Sequence, residues 1–230
     1  MTGELLERGF GQRYIWDLAE RYSTLDLPPV TPRDWSWRAE RTLHDLMTAT
    51  EASCEFEGDL YILPYPSGQY PDSMVQVALA TTLQEYVRAT GKPVPLQEQL
   101  LRGMHRFYDP SIGTLRRYLP NVGEEKDFDA VDSWYLYHPM VSLARLAAAG
   151  DQRAHDLLMQ SVSYGIKAAH HFEYRWPVIY RIQDFSVVNQ QLDAGRPGET
   201  DAGGLYAYLM TSVHQLTGDE LYLREAAAAL

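Results

Sequence analysis

The chain predicts an all-α fold built from repeated antiparallel helical hairpins. Three stretches carry the expectation: Asp72-Ser73-Met74 to Thr90-Gly91, Asp132-Ser133-Trp134 to Ala149-Gly150, and Asp201-Ala202-Gly203 to Thr217-Gly218. Each opens on an aspartate, runs through apolar residues at helical spacing, and stops at glycine. A short turn and a second helical pattern follow each one, so long and short connections alternate. Self-similarity of this kind decides the architecture ahead of local detail. A ring of such hairpins would gather the long loops, and the aspartates that end them, at one rim.

The elements follow in order. Leu5, Leu6, Phe10, Tyr14, Leu18 and Tyr22 give a first helix its spacing, and Leu27-Pro28-Pro29-Val30-Thr31-Pro32 breaks it. Residues 1–33 therefore form an N-terminal helix with a proline-rich connection, and residues 34–230 form the hairpin domain. A second helix starts near Asp34, capped by Thr31 or Asp34, and is expected to end near Ala52. Residues 55–71 place Tyr61, Tyr65 and Tyr70 among Pro64, Pro66, Gly68 and Pro71, which reads as a loop with a short extended stretch at Leu60–Leu63. The first clear hairpin covers residues 72–108 and turns at Gly91-Lys92-Pro93. The second covers 132–172 and turns at Gly150-Asp151, and the third starts at Asp201 and turns at Gly218-Asp219. Residues 109–131 and 173–200 are long loops, and long loops inside compact domains tend to be functional. Gly203-Gly204 costs about 1 kcal/mol per glycine against alanine, which points to a close approach by a ligand or a neighbouring backbone. The last helix runs to Leu230 with no stop signal, so the third hairpin is expected to be cut in mid-helix or completed by another subunit.

Composition narrows the function. The 230 residues are 45% hydrophobic and carry a formal net charge of −11, which disfavours nucleic acid and anionic membrane surfaces as partners. The single Cys54 excludes an intramolecular disulfide and a cysteine-based zinc site. The charged N-terminus lacks a signal-peptide core, and no apolar run reaches the roughly 20 residues of a membrane span. A soluble, cytoplasmic protein is the expectation. Sixteen Tyr and five Trp beside six Phe suit a cleft that stacks on polar rings, although Tyr also fills helix seams near water.

The run Asp201-Ala202-Gly203-Gly204-Leu205-Tyr206, followed by Thr217-Gly218-Asp219-Glu220-Leu221-Tyr222-Leu223, resembles the six-hairpin glycosidase superfamily, the (α/α)6 toroids. The resemblance covers residues 34–230 at the level of architecture. It implies a glycan cleft formed by loops at the N-termini of the inner helices, and a carbohydrate-active enzyme needing no metal or cofactor. A glycoside hydrolase using carboxylate general acid/base chemistry on oligosaccharides, acidic ones included, is the first expectation; a related lyase or epimerase is close to it. A complete barrel has six hairpins, whereas this chain offers three clear ones and a fourth from residues 5–52. The ring is then incomplete, with an edge open to self-association.

Candidate catalytic residues are Asp132, Asp201 and Asp72, since glycoside hydrolysis needs two carboxyls on opposite sides of the scissile bond. The ordinary alternative for each is a helix N-cap. Asp132 leads because Asp127, Asp129, Trp134, Tyr137 and His138 surround it in sequence, and clustered carboxylates raise the pKa of one member. Such a cluster would also suit a divalent cation, but the glycine and distal glutamate of an EF-hand are missing, and a solvated acidic loop is commoner. Trp134, Tyr137, His138 and Tyr70 are expected to bind substrate. Trp176 and Tyr180 are expected to stack on sugars, with Arg175 and Arg181 pairing a uronate or sulfate, and Asn189-Gln190-Gln191 meeting hydroxyls. His170 and His171 point to different helix faces and suit a helix C-terminus better than one metal. Gly195–Gly198 lacks the lysine of a phosphate loop, and no G-x-S-x-G or HExxH occurs. Two other readings compete: a non-catalytic helical-repeat scaffold binding glycan or peptide, and a terpene-cyclase-like α-barrel, for which the spacing of Asp127, Asp129 and Asp132 is wrong.

Overall fold

Glycines in the left-handed region close the helical hairpins and so set the architecture. In the computed structural model of the chain, residues 35–48, 52–63, 70–119, 129–189 and 200–230 are described, the side chains of 35, 36, 200 and 201 excepted. The expected helix over 5–22 and the proline-rich connection lie outside the described residues. The chain divides into two units, residues 1–45 and 46–230. Helix α1, Trp35–Thr48, starts where the sequence places it and stops before Ala52. Its described side chains are mostly exposed, Trp37 and Met47 among them, and Arg41 pairs with Asp45 one turn on at 3.0 Å.

The second unit opens with an antiparallel hairpin, β1 (Ser53–Phe56) and β2 (Asp59–Ile62). The extended stretch at Leu60–Leu63 is thus real, and it has a partner strand the sequence did not announce. Glu57 and Gly58 both take positive φ, 49° and 83°, the geometry a two-residue turn needs to match strand twist. Tyr61 and Ile62 bury themselves beneath the hairpin.

Three helical pairs follow: α2 (Ser73–Thr90) with α3 (Pro95–Gly103), α4 (Ser133–Ala148) with α5 (Gln152–His171), and α6 (Thr200–Thr217) with α7 (Glu220–Ala228). Helix α2 packs on α4 and α4 on α6, while each also packs on its own partner. The helices opened by the aspartate frame therefore form one layer and their partners another. Gly91, Gly150 and Gly218 close the three turns at φ 70°, 96° and 73°, where any side chain would be strained.

Buried polar groups lock the layers. Gln76 is fully buried on α2; its amide donates to the carbonyls of Leu60 (3.0 Å) and Leu100 (3.1 Å) and accepts from the N–H of Ile62 (3.0 Å). One side chain so ties α2 to β2 and α3. The Thr81 hydroxyl, which donates to Val77 O in its own helix (2.8 Å), is shared with the carbonyl of Ser142 on α4 (3.2 Å). Tyr137 on α4 reaches the carbonyl of Gly165 on α5 (3.1 Å), and Tyr206, at the same position of the frame on α6, reaches Glu225 on α7 (2.6 Å).

Short strands organise the loops. β3 (Tyr108–Asp109) pairs with β4 (Thr114–Leu115), and β5 (Ala130–Asp132), β6 (Ile179–Arg181) and β7 (Val187–Asn189) make a three-stranded antiparallel sheet in that order. A common device appears twice. The chain leaving an outer helix returns across the start of its own inner helix: Ser73 N–H donates to Arg117 O (2.8 Å) with Tyr118 opposite Asp72, and Ser133 N–H donates to Val178 O (3.2 Å) with Ile179 opposite Asp132.

Gly203 has the close neighbour its cost implied, though the neighbour is a side chain: a Cβ there would stand 2.8 Å from Trp176 Nε1. Gly203→Ala is expected to destabilise the fold by about 1–3 kcal/mol through overpacking, measured by urea unfolding. Gly204→Ala meets nothing within 4 Å and is expected to be stabilising, by about 1 kcal/mol at most.

Candidate functional site

Two of the predicted aspartates, Asp72 and Asp132, stand at the N-termini of α2 and α4, and the first property the structure assigns them is capping. Asp132 Oδ1 accepts from the N–H groups of Trp134 (2.8 Å) and Tyr135 (3.3 Å), and Asp72 Oδ1 accepts from Met74 (2.8 Å) and Val75 (3.4 Å). Their surroundings then differ. Asp72 is 2% exposed, and burial pushes its carboxyl above the ordinary 3.8, although Arg117 and the two backbone donors pull it back part of the way. Asp132 is half-buried, and its Oδ2 is unengaged among the described residues. Asp201 falls in the first turn of α6, one residue inside the helix start, and its side chain is outside the described set.

Because Asp72 holds its proton more tightly when folded than when unfolded, its ionisation lowers stability as pH rises from 3.8 through its folded pKa. Asn caps as well as Asp. Asp72→Asn is therefore expected to raise Tm at pH 7, with the gain vanishing at pH 3.5; thermal melts at the two values check it.

Aromatic and basic groups gather around these caps. Arg117 lies 3.5 Å from Asp72 Oδ2, with its guanidinium 3.4 Å from the centre of the Tyr135 ring and 4.8 Å from that of Tyr118. Tyr118 in turn meets Tyr70 at 5.7 Å. On the next turn of α4, the His138 ring lies 4.7 Å from Trp134. Burial lowers the His138 pKa below 6.5, opposed by the nearby Asp72 charge, and its buried Nδ1 has no hydrogen-bond partner. The rim thus combines Asp72, Asp132, Arg117 and His138 with Tyr70, Tyr118, Trp134 and Tyr135. Arg117, Tyr118 and Tyr135 were missed from sequence; the signal that could have found them is the Arg116-Arg117-Tyr118 run in the loop that crosses back over Asp72.

Other predicted residues do not join the rim. Tyr137 and Tyr180 are each 1% exposed and Trp176 is 6% exposed. Tyr137 packs edge-on against Trp176 and Tyr206, and Tyr180 lies against Phe172. These rings are core, with no face left for a sugar. The cause at Tyr180 is strand alternation, which turns Tyr180 inward and leaves its neighbours Ile179 and Arg181 half-buried. Asp129 is paired with Arg116 (3.1 Å) and Gln183 (3.3 Å) and does not cluster with Asp132; Asp127 lies outside the described residues. Among the described residues no three metal-ligating side chains converge. His170 Nε2–H donates to Glu225 (2.9 Å), a buried carboxylate that also takes the hydroxyls of Tyr174 and Tyr206.

Compared by sequence, the chain matches no family model and no curated protein. Compared by structure, it is similar to the GH76 α-mannanase of Bacteroides thetaiotaomicron, with a TM-score of 0.62 and 15% identity over 84% of this chain and 54% of the other. It is also similar to a D-mannose isomerase, with a TM-score of 0.56 and 11% identity over 87% of this chain and 53% of the other. Both have (α/α)6 folds. The fold of this chain is of the (α/α)6 type. A family 76 mannosidase from the same Bacteroides species aligns at a TM-score of 0.50 with 13% identity over 84% of this chain and 52% of the other. The chain spans about half the length of these structures, and its described hairpins form an arc of the (α/α)6 barrel. No helix among the described residues is long and apolar enough to cross a membrane.

Proposed function

We propose that the chain belongs to a carbohydrate-active (α/α)6 enzyme whose cleft is the rim of α2, α4 and α6, and that it hydrolyses glycosidic bonds. The observation that carries this is Asp132: a half-buried carboxylate at an inner-helix N-terminus, one oxygen fixed by two backbone N–H groups and the other unengaged, beside Trp134 and Tyr135. Asp201, in the equivalent frame on the adjacent inner helix, is the proposed second carboxyl. Asp72, buried and tethered to Arg117, positions that arginine. Mannosides are the first substrates to try, because two of the similar structures are a mannanase and a mannosidase.

One observation favours a second chemistry on the same rim. A half-buried imidazole whose pKa burial holds below 6.5, His138 beside Trp134, is suited to moving a proton on a bound sugar, as epimerisation or isomerisation requires. The test is to incubate the purified chain with α-manno-oligosaccharides and with D-mannose, following reducing ends in the first case and the sugar's NMR spectrum in the second. New reducing ends support hydrolysis, and a new ketose or epimer, lost in His138→Gln, supports the second chemistry. Absence of turnover together with absence of sugar binding by calorimetry overturns both.

A further inference from the structure

Arg117 is held in a way that leaves most of its donors unengaged among the described residues. The guanidinium carbon lies over the Tyr135 ring, 3.4 Å from its centre, and over that of Tyr118 at 4.8 Å, so two rings hold it in place. Only Nε is tethered, at 3.5 Å from Asp72, and the side chain stays 25% exposed. Among the described residues the two terminal nitrogens have no hydrogen-bond partner. By contrast, Arg116, its neighbour in sequence, is engaged with both Asp109 (2.8 Å) and Asp129 (3.1 Å). Arg153 is likewise shared between Glu98 (2.7 Å) and Asp151 (2.8 Å). Arg117 therefore differs in kind from the structural arginines: its position is fixed by two rings and one carboxylate while its fork is open. An open, ring-stacked fork matches planar oxyanions, to which arginine binds through two parallel N–H bonds.

We propose that Arg117 makes the cleft selective for sugars bearing an anionic substituent, a carboxylate or a phosphate. The proposal rests on the carbohydrate reading above and names the substrate class within it. With a formal net charge of −11 the protein as a whole repels anions, so such a ligand has to be recognised by a local group of this kind.

Isothermal titration calorimetry on the purified chain tests it with three probes: mannobiose, a β-1,4-linked mannuronate disaccharide, and mannose 6-phosphate. The expected result is tighter binding of one anionic probe than of mannobiose, and which one identifies the substituent as carboxylate or phosphate. In Arg117→Ala the ratio of anionic to neutral affinity is expected to fall at least tenfold. Arg117→Lys, which keeps the charge but loses the fork, is expected to restore only part of that ratio, and it carries the test if the alanine variant does not fold. A general loss of packing would weaken all three probes alike and leave the ratio unchanged. An unchanged ratio, or a wild-type chain that prefers mannobiose, overturns the selectivity while leaving the carbohydrate reading in place. A chain that binds none of the three overturns both.

Discussion

Asp132→Asn is expected to reduce turnover by roughly 10²–10⁴-fold while moving Tm by no more than a degree or two. The magnitude follows from removing a positioned acid/base group. The small effect on stability follows from capping: Asn and Asp are equivalent N-caps, and the amide oxygen can keep the bonds to Trp134 and Tyr135. Asp132→Ala separates the two roles from the other side. It removes the chemistry as well as the cap, so it should lose about 1 kcal/mol of stability on top of the same loss of activity. Steady-state kinetics and thermal melts on the pair decide the matter. If the asparagine variant keeps wild-type turnover, Asp132 is a cap and nothing more, and the catalytic carboxyl must be sought elsewhere.

The largest stability effect is expected at Gln76. Replacement by leucine preserves volume but removes the partner of the carbonyls of Leu60 and Leu100 and of the N–H of Ile62, the last two bonds buried and the first part-buried. An unsatisfied buried group costs about 1–3 kcal/mol, so Gln76→Leu should lose about 3–5 kcal/mol after partial relaxation. That is a large part of a typical domain's stability. Urea unfolding checks it. A loss below about 1 kcal/mol would mean that the hairpin of β1 and β2 does not depend on this amide for its attachment.

The repeat frame was legible because its parts act locally. Aspartate caps, helical apolar spacing and left-handed glycines each specify their own few residues, and all three agree in the first two hairpins, while in the third Asp201 lies within the first turn of α6. The strands were not legible for the opposite reason. β5 and β6 are three residues long, and their pairing joins residues from 47 (Asp132 with Ile179) to 51 (Ala130 with Arg181) positions apart, which no local pattern encodes. The rim was read only in part. Asp72, Asp132, Trp134, His138 and Tyr70 share it, but sequence could not say that Asp72 would be buried or that Arg117 would lie between it and Tyr135. Nor could aromatic character separate wall from core: Trp176 and Trp134 read alike as residue types, and the packing of Tyr137, Tyr206 and Gly203 around the first makes the difference.

The returning strands have a consequence for how the molecule comes into being. Arg117 meets Asp72, and Val178 meets Ser133, at a separation of 45 residues in each case. Each hairpin together with its returning strand is therefore a closed contact unit of modest sequence span, and such low contact order favours rapid folding. A chain emerging from the ribosome can complete the first unit, its pairing of Arg117 with Asp72 included, before the second has been synthesised. The cleft is then assembled in instalments, one inner-helix N-terminus at a time. An error in one unit would leave its predecessors folded, and limited proteolysis of ribosome-stalled chains should show protection advancing in steps of one hairpin.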